Sequence, residues 1–108
     1  MNLDYIMLFD FERMTKHKYR LNEQVALWNH QSIEVRGRIY CTGGALANSK
    51  TYLNKCSVLD EQRMVFTEIA PMKYERDAHG ICAYNDRYII CVGSWHGPGS
   101  RTCEIYDC

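Results

Sequence analysis

The side chains best equipped for chemistry in this 108-residue chain are six cysteines and four histidines. Cysteines could bridge one another, bind a metal or act as nucleophiles. The spacing points elsewhere. No Cys-x-x-Cys occurs, and Cys41 and Cys91 hold equivalent places 50 residues apart; Cys56 and Cys103 each stand four residues before an aspartate, Asp60 and Asp107. A cysteine that recurs at one strand position behaves as a small buried hydrophobe. Structural thiols are therefore favoured over disulfides, and disulfides over a metal, which fits a reducing compartment such as the cytoplasm or nucleus. The histidines are isolated, and no Gly-x-Ser-x-Gly elbow, phosphate loop or His-Glu-x-x-His sequence is present. Asp10, Asp60 and Asp107 recur at strand ends, where capping of a turn is a better account than acid–base chemistry. The expectation is a non-enzymatic chain with no metal and no cofactor.

Recognition is the other chemistry these residues offer. Trp95-His96-Gly97-Pro98-Gly99 with Arg101 combines the commonest interface anchors with residues that hold a loop in a preset shape. Two roles are open to Trp95: contact with a partner, or packing over the open end of its own sheet. Ser49, Lys50 and Tyr52 belong to a second variable segment. Arg13, Lys16, His17, Lys18 and Arg20 form a basic cluster that a solvated hairpin explains. Thirteen basic and thirteen acidic residues leave no net field for nucleic acid or an anionic membrane. The longest apolar run, residues 5–9, is too short to span a bilayer.

The elements that must position these residues are strands arranged in a repeat. Arg38-Ile39-Tyr40-Cys41-Thr42-Gly43-Gly44 returns as Tyr88-Ile89-Ile90-Cys91-Val92-Gly93-Ser94, and Asp10-Phe11-Glu12-Arg13-Met14 as Asp60-Glu61-Gln62-Arg63-Met64, both 50 residues on. A fixed period of that size marks units that bury their apolar faces against neighbours. Residues 32–35 and 38–42 read as a hairpin around Arg36-Gly37, and 81–84 and 88–92 as the same hairpin around residues 85–87. Residues 52–59 and 102–106 read as third strands, and residues 64–69 as a fourth. The expected product is a stack of small antiparallel sheets apolar on both faces.

These residues resemble the kelch repeats. Ile39-Tyr40 with Gly43-Gly44, Val58-Leu59-Asp60, Phe66, Pro71-Met72, Arg76 and His79 match a kelch unit in order and spacing, and Ile89-Ile90, Gly93 and Ile105-Tyr106-Asp107 begin the next. Ser94 stands where the family has a second glycine, and Phe66 where it usually has tryptophan. The resemblance implies a β-propeller of four-stranded antiparallel blades. Residues 1–29 would supply strands three and four of one blade and a connection, residues 30–76 a full repeat, and residues 77–108 a repeat as far as its third strand. That is one full and two incomplete blades, a segment of a larger propeller. The resemblance gives Arg76 an inward position bonded to carbonyls of the next blade, and His79 a place at the blade junction. Gly43-Gly44 would end a strand at positive φ or a close backbone approach.

Antiparallel strands bring the second-to-third and fourth-to-first connections to one face: residues 45–51 and 95–101, with 70–77 and its earlier counterpart 21–30. Variable loops on a rigid scaffold are where recognition resides. The resemblance thus implies a protein-interaction module whose partners, by analogy, include cullin ubiquitin-ligase substrates and cytoskeletal proteins. The alternatives are a fragment of a propeller enzyme similar to the galactose oxidases, or a nonfunctional truncated product.

Overall fold

Two turns of the same construction organise the chain. Asp10 Oδ1 accepts the N–H groups of Glu12 (3.0 Å) and Arg13 (3.1 Å), and Asp60 Oδ1 accepts those of Gln62 (3.0 Å) and Arg63 (3.2 Å). Each turn ends on a methionine in the left-handed region, Met14 at φ 53° and Met64 at φ 55°. A carboxylate that ties down two N–H groups holds the chain in a tight reversal, so a strand lies on each side. The structure, a computed structural model, describes the backbone of residues 2–46 and 50–108, and the side chains of residue 7 and of residues 9–18, 28–46 and 50–108.

The protein is all-β, and its sheets are antiparallel. The first turn joins β1 (Asn2–Asp10) to β2 (Thr15–Trp28), and β2 also pairs with the short β5 (Ala45–Leu46). The second sheet runs β3 (Gln31–Val35), β4 (Arg38–Thr42), β6 (Cys56–Asp60), β7 (Val65–Ile69) in spatial order. The third has β8 (Gly80–Tyr84), β9 (Tyr88–Val92) and β10 (Cys103–Asp107), with β9 in the centre. A 3₁₀ turn, Pro98–Arg101, precedes β10.

Several strand boundaries differ from those expected, three of them with a visible cause. Residues 52–55 lie outside β6 because their backbone is bonded to other loops: Leu53 N–H to Gly44 O (2.8 Å), Arg76 N–H to Leu53 O (3.1 Å) and Met72 N–H to Asn54 O (2.8 Å). Met64 belongs to its turn, so β7 begins at Val65. Residues 21–28 are strand and not the expected loop, since Val25 and Ala26 pair with Leu3 and Asn2, and Leu27 and Trp28 with Leu46 and Ala45.

The core lies between the second and third sheets. Val35, Tyr40, Cys56 and Val58 from one meet Ile89 and Cys91 from the other, and Met72, on the connection between them, closes the cluster. Tyr40 and Tyr106 face each other at 6.1 Å between ring centroids. Period-two alternation explains the selection, because these residues occupy every other position of their strands. All six cysteines are free thiols. Burial raises Cys41 and Cys56 to about 11 and pushes Cys91 up as well, which makes them packing groups at neutral pH.

Candidate functional site at the loop end of the sheets

With strands alternating in direction, the hairpins after β3, β6 and β8 lie at one end of the sheets. Residues 43–46 and 50–55, 70–79 and 93–102 come together at the other. Bonds between these connections make that end a braced platform. Gly43 and Gly44 have φ of 62° and 103°, and a Cβ on Gly43 would collide with the carbonyl of Arg76. The close approach is used at once: Gly44 N–H donates to Arg76 O at 2.8 Å.

Arg76 is the brace between the second and third sheets. It is 0 % exposed. Its Nη1 donates to the carbonyls of Gly93 (3.0 Å), Gly99 (2.9 Å) and Thr102 (2.8 Å). Its Nη2 donates to Thr102 Oγ1 (2.7 Å) and Glu104 Oε2 (2.9 Å), and Nε to Glu104 Oε2 (3.2 Å). A planar guanidinium presents five donors in one fork, so one residue satisfies the turn before β10 and the carboxylate within it. Glu104 also accepts from the N–H groups of Lys73 (2.5 Å) and Tyr74 (3.2 Å). Burial pushes the Glu104 carboxyl up, but the backbone donors and Arg76 outweigh it and hold it below the usual range.

His79 is the other buried group of this junction. Its Nε2 lies 2.8 Å from Thr42 Oγ1, and Nδ1 has no hydrogen-bond partner. Burial, followed by the nearby Arg76 charge, lowers it to about 4, so the ring is neutral at physiological pH.

Above this frame stand the exposed residues. Trp95 N–H donates to Asp77 O at 2.9 Å, which fixes its backbone, while its side chain is 79 % exposed. The indole therefore does not pack over the end of its sheet. His96 is held on two sides: Nδ1 is 3.5 Å from Asp77 Oδ1, and Tyr52 meets the ring edge-on at 4.0 Å. Ser94 Oγ accepts Asp77 N–H (3.2 Å) and donates to its Oδ1 (3.4 Å). Tyr52 and His96 are thus brought together from different loops; Lys50 and Arg101 are exposed on the same two loops, and Ser49 lies outside the described residues.

Among the motif residues, Met72 is in the core and Gly93, at φ 73°, donates its N–H to Thr102 O (2.9 Å). Phe66 is half-buried, opposite Leu59. Asp107 makes a two-pronged pair with Arg87 (2.8 Å and 2.8 Å), which holds its carboxyl below the usual range.

Sequence reasoning passed over three participants. Trp28, 54 % exposed at the end of β2, abuts the platform, with its carbonyl beside Gly44. Both tryptophans of the chain are therefore displayed at this end. Glu104 and Asp77 are the carboxylates that hold Arg76 and His96. Ser94 was legible as a departure from the glycine pair, and its hydroxyl is what braces Asp77. Among the described residues no group of three His, Cys, Asp or Glu side chains is placed to hold a metal. No helix of the described residues is long and apolar enough to cross a membrane. No protein-family model matches the chain, and no curated protein matches it.

Proposed function

We propose that this chain is a segment of a kelch-type β-propeller that acts as a non-catalytic protein-interaction module, with the loop end as its recognition surface. The observation that carries the reading is the display of both tryptophans, Trp28 and Trp95, on a platform whose backbone is fixed by buried hydrogen bonds. A rigid aromatic anchor loses little conformational freedom on binding, and tryptophan and arginine dominate interface energetics. Lys50, Tyr52, His96 and Arg101 form the polar surround.

Successive antiparallel sheets, joined by a buried arginine that reaches into the next sheet, support the propeller reading. In it, residues 30–76 form the full blade and residues 1–29 and 77–108 the partial ones. The partner is a protein, with ligase substrates and cytoskeletal proteins as the analogous classes. The balanced charge favours neither nucleic acid nor membrane. Unpaired thiols favour the cytoplasm or nucleus.

The test is affinity enrichment from cell extract with the parent chain and with Trp28→Ala, Trp95→Ala and the double variant. Proteins retained by the parent and lost from the double variant, at unchanged melting temperature, are expected. An isolated partner should also shift the tryptophan emission to shorter wavelength. Equal retention by all four chains would remove the loop end from recognition.

A further inference from the structure

The connection that carries Trp95 differs from its counterpart one repeat earlier. Where β2 meets β5, Leu27 pairs with Leu46 and Trp28 with Ala45. Fifty residues on, Asp77 and His96 take the places of the two leucines, Trp95 that of Ala45 and Ser94 that of Gly44. The backbone approach is kept, since Trp95 N–H donates to Asp77 O at 2.9 Å. What changes is the chemistry across it: in place of two leucines, a carboxylate faces an imidazole.

Asp77 is 3 % exposed. Burying a carboxylate costs free energy that a leucine at the same place does not cost, so the exchange is not explained by folding. It is explained by contacts with three successive residues of the next connection. The carbonyl of Asp77 takes the Trp95 N–H, and its own N–H goes to Ser94 Oγ at 3.2 Å. Ser94 Oγ donates back to Asp77 Oδ1 at 3.4 Å, and the same oxygen lies 3.5 Å from His96 Nδ1. The Tyr52 ring then meets His96 edge-on, and Tyr52 is bridged to Ala45 in the second sheet's connection. Asp77 thus grips the residues on both sides of Trp95, and His96 ties that segment to the neighbouring loop.

We propose that Asp77 is a positioning residue for recognition: its carboxylate, acting through Ser94 and His96, holds Trp95 in place for a protein partner at the junction of the second and third sheets. The proposal rests on the loop end being the recognition surface. The segment runs on into Gly97, at φ 85° and with open space where a Cβ would stand, so nothing beyond His96 replaces the grip. A loop released from it must be ordered at the moment of binding, which for two or three side chains weakens affinity roughly tenfold.

The test needs no partner, so its failure is distinct from a failure of the loop end to bind. Trp28→Phe serves as the background, leaving Trp95 as the sole tryptophan. Into it are placed Asp77→Leu, which restores the residue of the earlier junction, Asp77→Asn, which keeps an acceptor for Ser94 without the charge, and His96→Leu, which leaves Asp77 intact. Asp77→Leu is expected to melt at or above the temperature of the background chain. In the same protein the fast local component of the Trp95 anisotropy decay should grow, and the heteronuclear NOE of residues 94–97 should fall. Asp77→Asn and His96→Leu should loosen the same residues to a smaller extent. Unchanged Trp95 motion in folded Asp77→Leu overturns the proposal. Failure of Asp77→Leu to fold, or loosening by Asp77→Asn that spreads over β8–β10, also overturns it, since Asp77 would then be a structural residue of the sheet.

Discussion

Val58 and Ile105 hold the same place in successive sheets, two residues before the aspartate that ends each third strand, yet Val58 is 7 % exposed and Ile105 66 %. The same divergence separates Cys56 from Cys103 and Thr42 from Val92. Nothing in the local pattern distinguishes the members of each pair. What differs is the layer across the face: the second sheet has the third against it, and among the described residues the third has nothing. Burial in a repeat is thus a property of the junction, not of the unit. The two ends of the strands differ in a related way. The hairpin end is held by local capping within each turn, whereas the loop end is held by long-range bonds between connections, and it is there that both tryptophans are displayed.

The largest expected effect breaks the junction itself. Arg76→Ala leaves three carbonyls and the Glu104 carboxylate without their partner and should cost about 3–5 kcal/mol, read by denaturant unfolding. Arg76→Lys should recover only part, because an ammonium cannot span the same fork of acceptors. An Arg76→Ala protein that unfolds like the parent would show that the two sheets are not held together by this residue.

A smaller effect comes from acid. His79 is neutral in the folded chain, with its pKa lowered to about 4 against 6.5 for the exposed ring. Between those values the unfolded chain binds more protons. Its contribution is therefore complete above about pH 6.5 and is lost as the pH falls toward 4, on the order of 2 kcal/mol. His79→Gln should flatten that part of the stability profile; an unchanged slope would assign the acid sensitivity elsewhere.

Thiol reactivity reads the same difference in burial without perturbing the fold. In dilute solution Cys82 and Cys103 should alkylate readily, while Cys56 and Cys91 react only as fast as the chain opens. Peptide mapping after a timed pulse measures this directly, and equal labelling of Cys56 and Cys103 would contradict the assigned burial.

Much of the fold was legible because turn chemistry is local. Arg36-Gly37, residues 85–87 and the two Asp-headed turns locate one end of each of eight strands, β1–β4 and β6–β9, to within a few residues. What could not be read depends on distant partners. Residues 52–55 look like strand, but Gly44, Met72 and Arg76 claim their backbone groups. Residues 21–28 look like a loop by analogy with residues 70–77, but β1 and β5 supply pairing partners. In the candidate site, the exposure of Trp95 could not be decided from its neighbours in sequence, since it follows from Asp77 holding its N–H. Glu104 and Asp77 carried no motif, because a charge partner 28 residues away leaves no spacing to find.

The most direct test is a pair of truncations measured side by side, Val58→Ala and Ile105→Ala, by chemical unfolding in dilute solution. Deleting buried methyl groups at the covered face should cost about 2 kcal/mol, and the same change at the uncovered face less than about 0.5 kcal/mol. Equal losses at the two positions would show that the third sheet is covered as fully as the second, and would contradict the difference between them on which the account rests.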